Sequence, residues 1–224
     1  MPRFDIVKKS DVKDTYRVAR IKSDFDVKTE HCGEHFAGEI VYPEKWNIGV
    51  IVGTSGSGKS TIARELYADN IYTPKFGGGS IIDEMPKGVS VDEIEKAFYA
   101  VGLGSVPSWL KPYSVLSNGE KMRVDLAYAM LENDFVVFDE FTSVVDRNVA
   151  RVASMAIAKA IRSQDKKFIA VTCHSDVLEW LEPDWIFNTN TMQMDFFQVR
   201  GHKLNAKFEN VTAINGKSLG DIII

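Results

Sequence analysis

The period of the hydrophobic positions changes along the chain, and the changes mark its elements. Ile48-Gly-Val-Ile-Val52, Phe135-Val-Val-Phe138 and Phe168–Cys173 are short apolar runs. Runs of this length suit strands buried on both faces of a parallel sheet. Helical spacing takes over between them. Ser90 and Glu93 stand at capping-box distance, and Ile94, Ala97, Phe98 and Val101 follow at i, i+3, i+4 and i+7. An amphipathic helix ending near Gly102 is predicted there. Further helices are predicted from Lys59, from Ser117 to Leu131, and after Asp146. In the last, Val149, Val152, Ala153, Ala156, Ile157, Ala160 and Ile161 share one face.

The flanks are less regular. The first 45 residues mix β-branched and aromatic side chains with charged ones, which predicts strands that include Tyr16–Val27 and Phe36–Tyr42. Phe76-Gly-Gly-Gly-Ser80 reads as a loop leading into a short strand at Ile81-Ile82. From Thr191 the pattern alternates weakly and predicts a β-rich extension. Strand–loop–helix units repeated in this way indicate an α/β fold with a mostly parallel core sheet. Ligands bind such sheets beyond the carboxyl ends of the strands.

Composition narrows the function classes. The 224 residues are 45% hydrophobic and 26% charged, which supports a packed domain rather than a disordered chain. The net charge of −4 supplies no overall basic field for nucleic acid or anionic lipid, although a local basic patch remains compatible with it. Two cysteines, Cys32 and Cys173, suit a reducing, cytoplasmic setting better than a disulfide scaffold. The first residues hold no apolar run of signal-peptide length. No stretch reaches the roughly 20 apolar residues of a membrane-spanning helix, so no integral membrane segment is expected.

Three candidate chemistries lie at predicted strand ends. Gly53-Thr54-Ser55-Gly56-Ser57-Gly58-Lys59-Ser60 fits the phosphate-loop pattern G-x-x-x-x-G-K-[ST], and Thr61 continues into a helix. Glycines let successive backbone N–H groups turn inward around a polyphosphate, and the helix adds its positive end. Lys59 then reaches the β and γ phosphates, and the Ser60 hydroxyl can ligate Mg²⁺. A Gly/Ser linker would not sit between an apolar strand and a helix-forming run. Asp139 and Glu140 end the Phe135–Phe138 strand. One acid can hold the metal, and the other can act as general base toward an attacking water. Leu116-Ser-Asn-Gly-Glu120 opens a helix, where Ser117 and Glu120 also have capping-box spacing.

The order of these motifs resembles ABC ATPases, over Glu39 to Asp184. Leu116–Glu120 is similar to the family signature LSGGQ, with Asn118 and Glu120 as departures. Asp139–Asp146, read DEFTSVVD, is similar to DEPTSALD, with Phe141 in place of proline. His174 stands where the family's switch histidine lies. The resemblance implies ATP and Mg²⁺ as ligands and a homodimer with ATP at the interface. In that arrangement Ser117, Asn118 and Gly119 contact the nucleotide held by the partner, and Asp146 lies at the subunit boundary. Glu140, His174 and Lys59 are the implied catalytic set, and Ser60 and Asp139 the metal ligands. Adenine stacking is expected upstream of the loop, at Phe25 first, with Tyr42 and Phe36 as alternatives.

The resemblance also implies one ABC ATPase domain. Its parts are an N-terminal antiparallel β subdomain (1–45), a nucleotide-binding core (46–85 and 135–190), a shortened helical subdomain with the signature (86–134) and a β-rich extension (191–224). Two departures bear on function. No glutamine lies between the phosphate loop and the signature, the three in the chain being Gln164, Gln193 and Gln198. Asp83 or Glu84 is the candidate replacement oxygen ligand. Only 58 residues (59–116) separate Gly58 from Ser117, an interval that holds a larger helical lobe in transporter subunits. Both departures favour a soluble ATPase acting on nucleic acid or a partner protein over a transporter subunit with separate membrane chains. Stretches around Trp46–Gly53, Val145–Ala150 and Cys173–Trp185 resemble small prokaryotic and phage ABC ATPases. Intact Lys59, Ser60, Asp139 and Glu140 argue against a hydrolysis-incompetent binding module.

Overall fold

A computed structural model describes residues 2–9, 13, 15–26 and 33–196. Its centre is a five-stranded sheet in the order β4-β5-β3-β6-β7. Strands β3 (Ile48–Val52), β4 (Phe135–Phe138), β5 (Lys167–Thr172) and β6 (Trp185–Asn188) run parallel, and β7 (Gln193–Phe196) closes the edge antiparallel to β6. β3 is apolar at every position except Gly49, and all five of its residues are buried, as the centre of a sheet covered on both faces demands. Gly49 is required by close approach, because a Cβ there would run into the Trp185 indole on the neighbouring strand. Trp185 packs with Tyr42 and Trp46, so the tryptophan-rich C-terminal part of the core is packing.

Helix α2 (Lys59–Tyr67) follows β3 directly. Helices α3 (Val91–Ala100), α4 (Val106–Trp109) and α5 (Asn118–Glu132) form a compact helical segment before β4. α3 and α5 both begin with complete capping boxes, Ser90–Glu93 and Ser117–Glu120, at the spacing read from the sequence. α6 (Arg147–Ser163) and α7 (Val177–Leu181) complete the helices after β4 and β5. One apolar cluster fills the space between the sheet and α3, α5 and α6. A second lies on the other face, between the sheet, α2 and the N-terminal strands.

An antiparallel pair, β1 (Arg3–Lys9) with β2 (Gly33–Glu39), precedes the core. Phe4 and Phe36 of this pair enter the second cluster. Several expectations for the flanks need correction. Tyr16–Val27 is not a strand: Tyr16–Asp24 forms helix α1, and Val27 lies outside the described residues. Thr15 caps it by accepting the Val18 amide, and Arg20 pairs with Asp24 one turn on. The cap and the run of Arg, Ala and Lys outweigh the β-branched residues. The second N-terminal strand ends at Glu39 rather than Tyr42. Ile81-Ile82 forms turns, because Glu84 reaches back to the amides of Gly77 and Gly79 and folds the segment on itself. On α6 the buried stripe runs through Ala150, Ala153, Ile157, Ala160 and Ile161, while Val152 is exposed. Of the C-terminal extension, β7 is present and residues 197–224 lie outside the described residues, as does Cys32.

Candidate nucleotide site

The phosphate loop leaves the carboxyl end of β3 and closes onto the first turn of α2. Gly58, the cap of α2, has φ +85, and a Cβ there would strike the Phe36 ring. Only glycine meets both demands. The loop is fastened from the far end of the core. Asn190 Oδ1 accepts from the Thr54 amide at 3.1 Å and the Thr54 hydroxyl at 2.9 Å. Ser57 Oγ lies 2.6 Å from the Thr189 hydroxyl and donates to the Thr54 carbonyl at 2.8 Å. Gly53 is closely enclosed by the Thr189 and Ser57 side chains, while Ser55 and Gly56 form the outer turn, with Gly56 at φ +83. Lys59 Nζ donates to the Thr54 carbonyl at 2.5 Å, which folds the ammonium over the loop. Ser60 and Thr61 stand in the first turn of α2.

The carboxylates approach this loop from the end of β4, which lies one strand away beyond β5. Ser60 Oγ donates to Asp139 Oδ1 at 2.8 Å, and Arg64 of α2 lies 3.6 Å from Asp139 Oδ2. The Glu140 amide donates to Asp139 Oδ1 at 2.9 Å. Glu140 itself is exposed and has φ +54, an unusual conformation for a residue with a side chain. A hydroxyl and a carboxylate oxygen within hydrogen-bond distance are the hard donors that Mg²⁺ takes when substrate phosphates complete its shell. Among the described residues no group of three or more His, Cys, Asp or Glu side chains could hold a metal alone. A metal here would draw its remaining ligands from phosphate and water. Asp83 accepts from the Ser80 hydroxyl at 2.5 Å in an exposed turn.

Phe141 explains its own departure from proline. It is fully buried against Phe138 and Phe168, and its amide bonds to the Val171 carbonyl at 2.8 Å. Thr172 at the end of β5 then joins two turns. Its hydroxyl donates to the Phe141 carbonyl at 2.9 Å and accepts the His174 amide at 3.1 Å. His174 is half-buried beyond the strand end, and Cys173 beside it is exposed and unpaired. Two residues after His174, Asp176 takes a two-pronged ion pair from Arg147, whose guanidinium also stacks over Trp180 at 5.0 Å. The Arg147 hydrogen bond holds Asp176 below the usual carboxylate range. Asp146 caps α6 by accepting the amides of Asn148 and Val149.

Ser117, Asn118 and Gly119 open α5, with the first two on the surface. Ser117 Oγ donates to Glu120 Oε2 at 2.7 Å, and the Ser117 amide donates to the same oxygen at 2.9 Å. Ser108 donates to the other carboxylate oxygen at 2.6 Å. These bonds, the Ser108 hydroxyl first, hold Glu120 down at about 2. Within one chain, then, the side chain of Ser117 is engaged by its own helix turn and not by the phosphate loop. Phe25 stands at the C-terminal cap of α1 and is 72% exposed. Tyr42 and Phe36, the alternatives for stacking, both lie against the second core cluster. Sequence reasoning missed Thr172, Thr189, Asn190, Arg64 and the Arg147–Asp176 pair. Thr172, Thr189 and Asn190 stand at or just past strand ends, and Arg64, Arg147 and Asp176 on or beside helices next to recognised motifs, but only the fold reveals their contacts.

Comparison with solved structures bears on the fold. An ATP-binding cassette captured as a dimer in a post-hydrolysis state, bound to ADP and phosphate, superposes with a TM-score of 0.55 at 14% identity, covering 69% of this chain and 87% of the other. The cassette cbiO1 from Clostridium perfringens, part of a transporter complex, gives 0.52 at 17% identity over 70% and 76%. The archaeal ribosome recycling factor aABCE1, solved with the ribosomal stalk protein aP1, gives 0.51 at 22% identity over 66% of this chain and 37% of the other. No protein-family model matches the sequence, and no curated protein matches it. With its mostly parallel sheet, its antiparallel β pair and its strand-end loops, the chain has the fold of the ATP-binding cassettes.

Proposed function

We propose that this protein is an ATP hydrolase that binds MgATP on Gly53–Thr61 and pairs head to tail with a second copy around two nucleotides. The observation that carries the reading is the hydrogen bond from Ser60, in the first turn of α2, to Asp139 at the end of β4, with Glu140 next to it and a glycine loop leading into the helix N-terminus. The loop amides and Lys59 would hold the phosphates, with Lys59 exchanging the Thr54 carbonyl for phosphate oxygen. Ser60 and Asp139 would hold Mg²⁺, which neutralises phosphate charge when bound. Glu140 would accept a proton from water, and His174 would orient that water or the γ-phosphate. Ser117, Asn118 and Gly119 would meet the partner's nucleotide. The surface position of Ser117 and Asn118 supports this, as does the engagement of the Ser117 hydroxyl by its own helix turn. Asp146 would stand at the subunit boundary, Asp83 would be an added oxygen ligand and Phe25 a stacking surface for adenine.

The short helical segment and the absent glutamine favour a soluble, cytoplasmic ATPase whose cycle acts on a partner protein or nucleic acid. No helix among the described residues is long and apolar enough to cross a membrane. The alternative is the ATPase subunit of a transporter with separate membrane chains. Glu140→Gln is expected to retain MgATP and accumulate as a dimer on size-exclusion chromatography, because binding and association are linked. A purely monomeric profile at saturating MgATP would sink the reading. Wild-type phosphate release measured with DNA, RNA and liposomes separates the outputs: salt-sensitive stimulation by nucleic acid marks the first, and stimulation only by membranes carrying a polytopic partner marks the second.

A further inference from the structure

We propose that Asp125 is a positioning residue that ties the strand bearing Asp139 and Glu140 to the turn entering the Ser117 helix, with the hydroxyls of Tyr72 and Tyr113 as its two arms. The inference rests on the hydrolysis reading above.

Asp125 is 7% exposed on α5, among Met122, Val124, Leu126 and Ala127. A carboxylate in such a place costs stability unless it is bonded. Each of its oxygens takes one phenol: Tyr72 donates to Oδ1 at 2.9 Å and Tyr113 to Oδ2 at 2.7 Å. Both phenols are themselves fastened. The Tyr72 amide donates to the Val137 carbonyl of β4 at 2.9 Å, and its ring stacks on Phe138 at 5.4 Å and 11°. Tyr72 is therefore anchored to the residue just before Asp139. Tyr113 stacks on Phe76 at 4.5 Å, and its carbonyl takes the Leu116 amide at 3.2 Å, immediately before Ser117.

α5 packs on the sheet and, through Tyr128, on Tyr72 and Phe76, but its side toward the carboxylate turn is open. A cleft of about 240 Å³ lies between the carboxylate turn and α5, lined by Tyr72, Tyr113, Asp125, Asp139 and Glu140 among others. Where side chains interlock, helix placement follows from shape. On this open side the two phenol–carboxylate bonds supply a directed polar link from α5 to the segments that precede Asp139 and Ser117. An apolar residue at 125 would pack as well but would supply no such link. Directed bonds of this kind carry geometric information that burial lacks.

The test uses the full chain with Asp125→Asn, Tyr72→Phe and Tyr113→Phe, none of which alters side-chain volume appreciably. Fluorescent MgADP should bind all variants as it binds wild type. In Asp125→Asn, kcat should fall about tenfold with KM unchanged, since small misplacement of reacting groups is costly. Combining all three changes should add little to Asp125→Asn, as expected of residues acting as one unit. Amide exchange over residues 116–122 should quicken in the nucleotide-free variants. Full turnover in folded Asp125→Asn, or losses that multiply independently, would overturn the proposal. If wild type itself releases no phosphate, the hydrolysis reading fails on its own. The exchange arm then decides the bridge: faster exchange upholds it and unchanged exchange refutes it.

Discussion

Asp125 and Glu120 lie five residues apart on one helix, yet their surroundings push them in opposite directions. Burial raises Asp125 to about 6, only partly offset by the Tyr113 and Tyr72 hydroxyls and the Lys121 ammonium. Asp139 and Glu140 line the same cleft and add no positive charge. Its folded value exceeds its ordinary one, so its contribution to stability is complete below the ordinary carboxylate range and is lost as pH rises through about 6. Glu120 is the reverse case, with stability present above its ordinary value and lost as pH falls toward about 2. Calorimetry of wild type against Asp125→Asn from about pH 4 to pH 7 should show wild type losing ground steadily as pH rises. A gap that stays flat would mean that residue 125 does not titrate in this range. At this scale the phosphate loop, the carboxylate pair and both capping boxes were legible, because each is a local spelling with a local geometry. Thr189 and Asn190 were not, since they meet Ser57 and Thr54, respectively, across more than half the chain. Phe141 was legible as a departure, but its burial against Phe168 of β5 depends on strand order.

Elements with one strong period were read well, and elements with mixed signals were not. β3, β4, β5, α3 and, apart from Val152, α6 follow their patterns, because burial on one face or both dictates the residue types. α5, by contrast, was placed by its Ser117 start and is buried along an unbroken run from Val124 to Met130. α1 has no buried residue, so no face was available to set its period, and its cap and charge pair decided the outcome. The turn at Ile81 was misread for a related reason: a distant-looking Glu84 satisfies the glycine amides that a strand would have paired. Between elements, the Arg147–Asp176 pair joins the start of α6 to the turn before α7, and Trp180 covers the guanidinium. Arg147→Lys keeps the charge but loses the planar fork and the stack. Both partners are more than a third exposed, so the expected loss is modest, about 1 kcal/mol or less, and smaller in high salt. Thermal denaturation at low and high ionic strength measures it. A large, salt-independent loss would assign the role of Arg147 to packing instead.

For the whole molecule, the proposed dimer places the chemistry of each nucleotide on two copies. Ser117→Arg leaves the phosphate loop and carboxylates untouched, so MgATP should still bind, whereas association should fail because a bulky cation replaces the helix cap at the proposed contact. Analytical ultracentrifugation of this change in the Glu140→Gln background tests it, and a persisting ATP-dependent dimer would remove residues 117–119 from the interface. The general architecture was readable because alternating strands and helices admit few arrangements. The identity of the partner was not, since it depends on surface shape rather than on any local pattern.

The sheet order has a further consequence, for biosynthesis. β3 carries the phosphate loop, and its two neighbours, β5 and β6, begin at Lys167 and Trp185, more than a hundred positions downstream. The turn that pins the loop, Thr189-Asn190, emerges later still. A ribosome must therefore release most of the core before the central strand can find its companions. Until then β3, the most apolar segment of the sheet, is a naked edge, exposed to chaperones and to neighbouring nascent chains. Nucleotide cannot rescue that interval, because its cradle takes shape only after Thr189 and Asn190 have emerged.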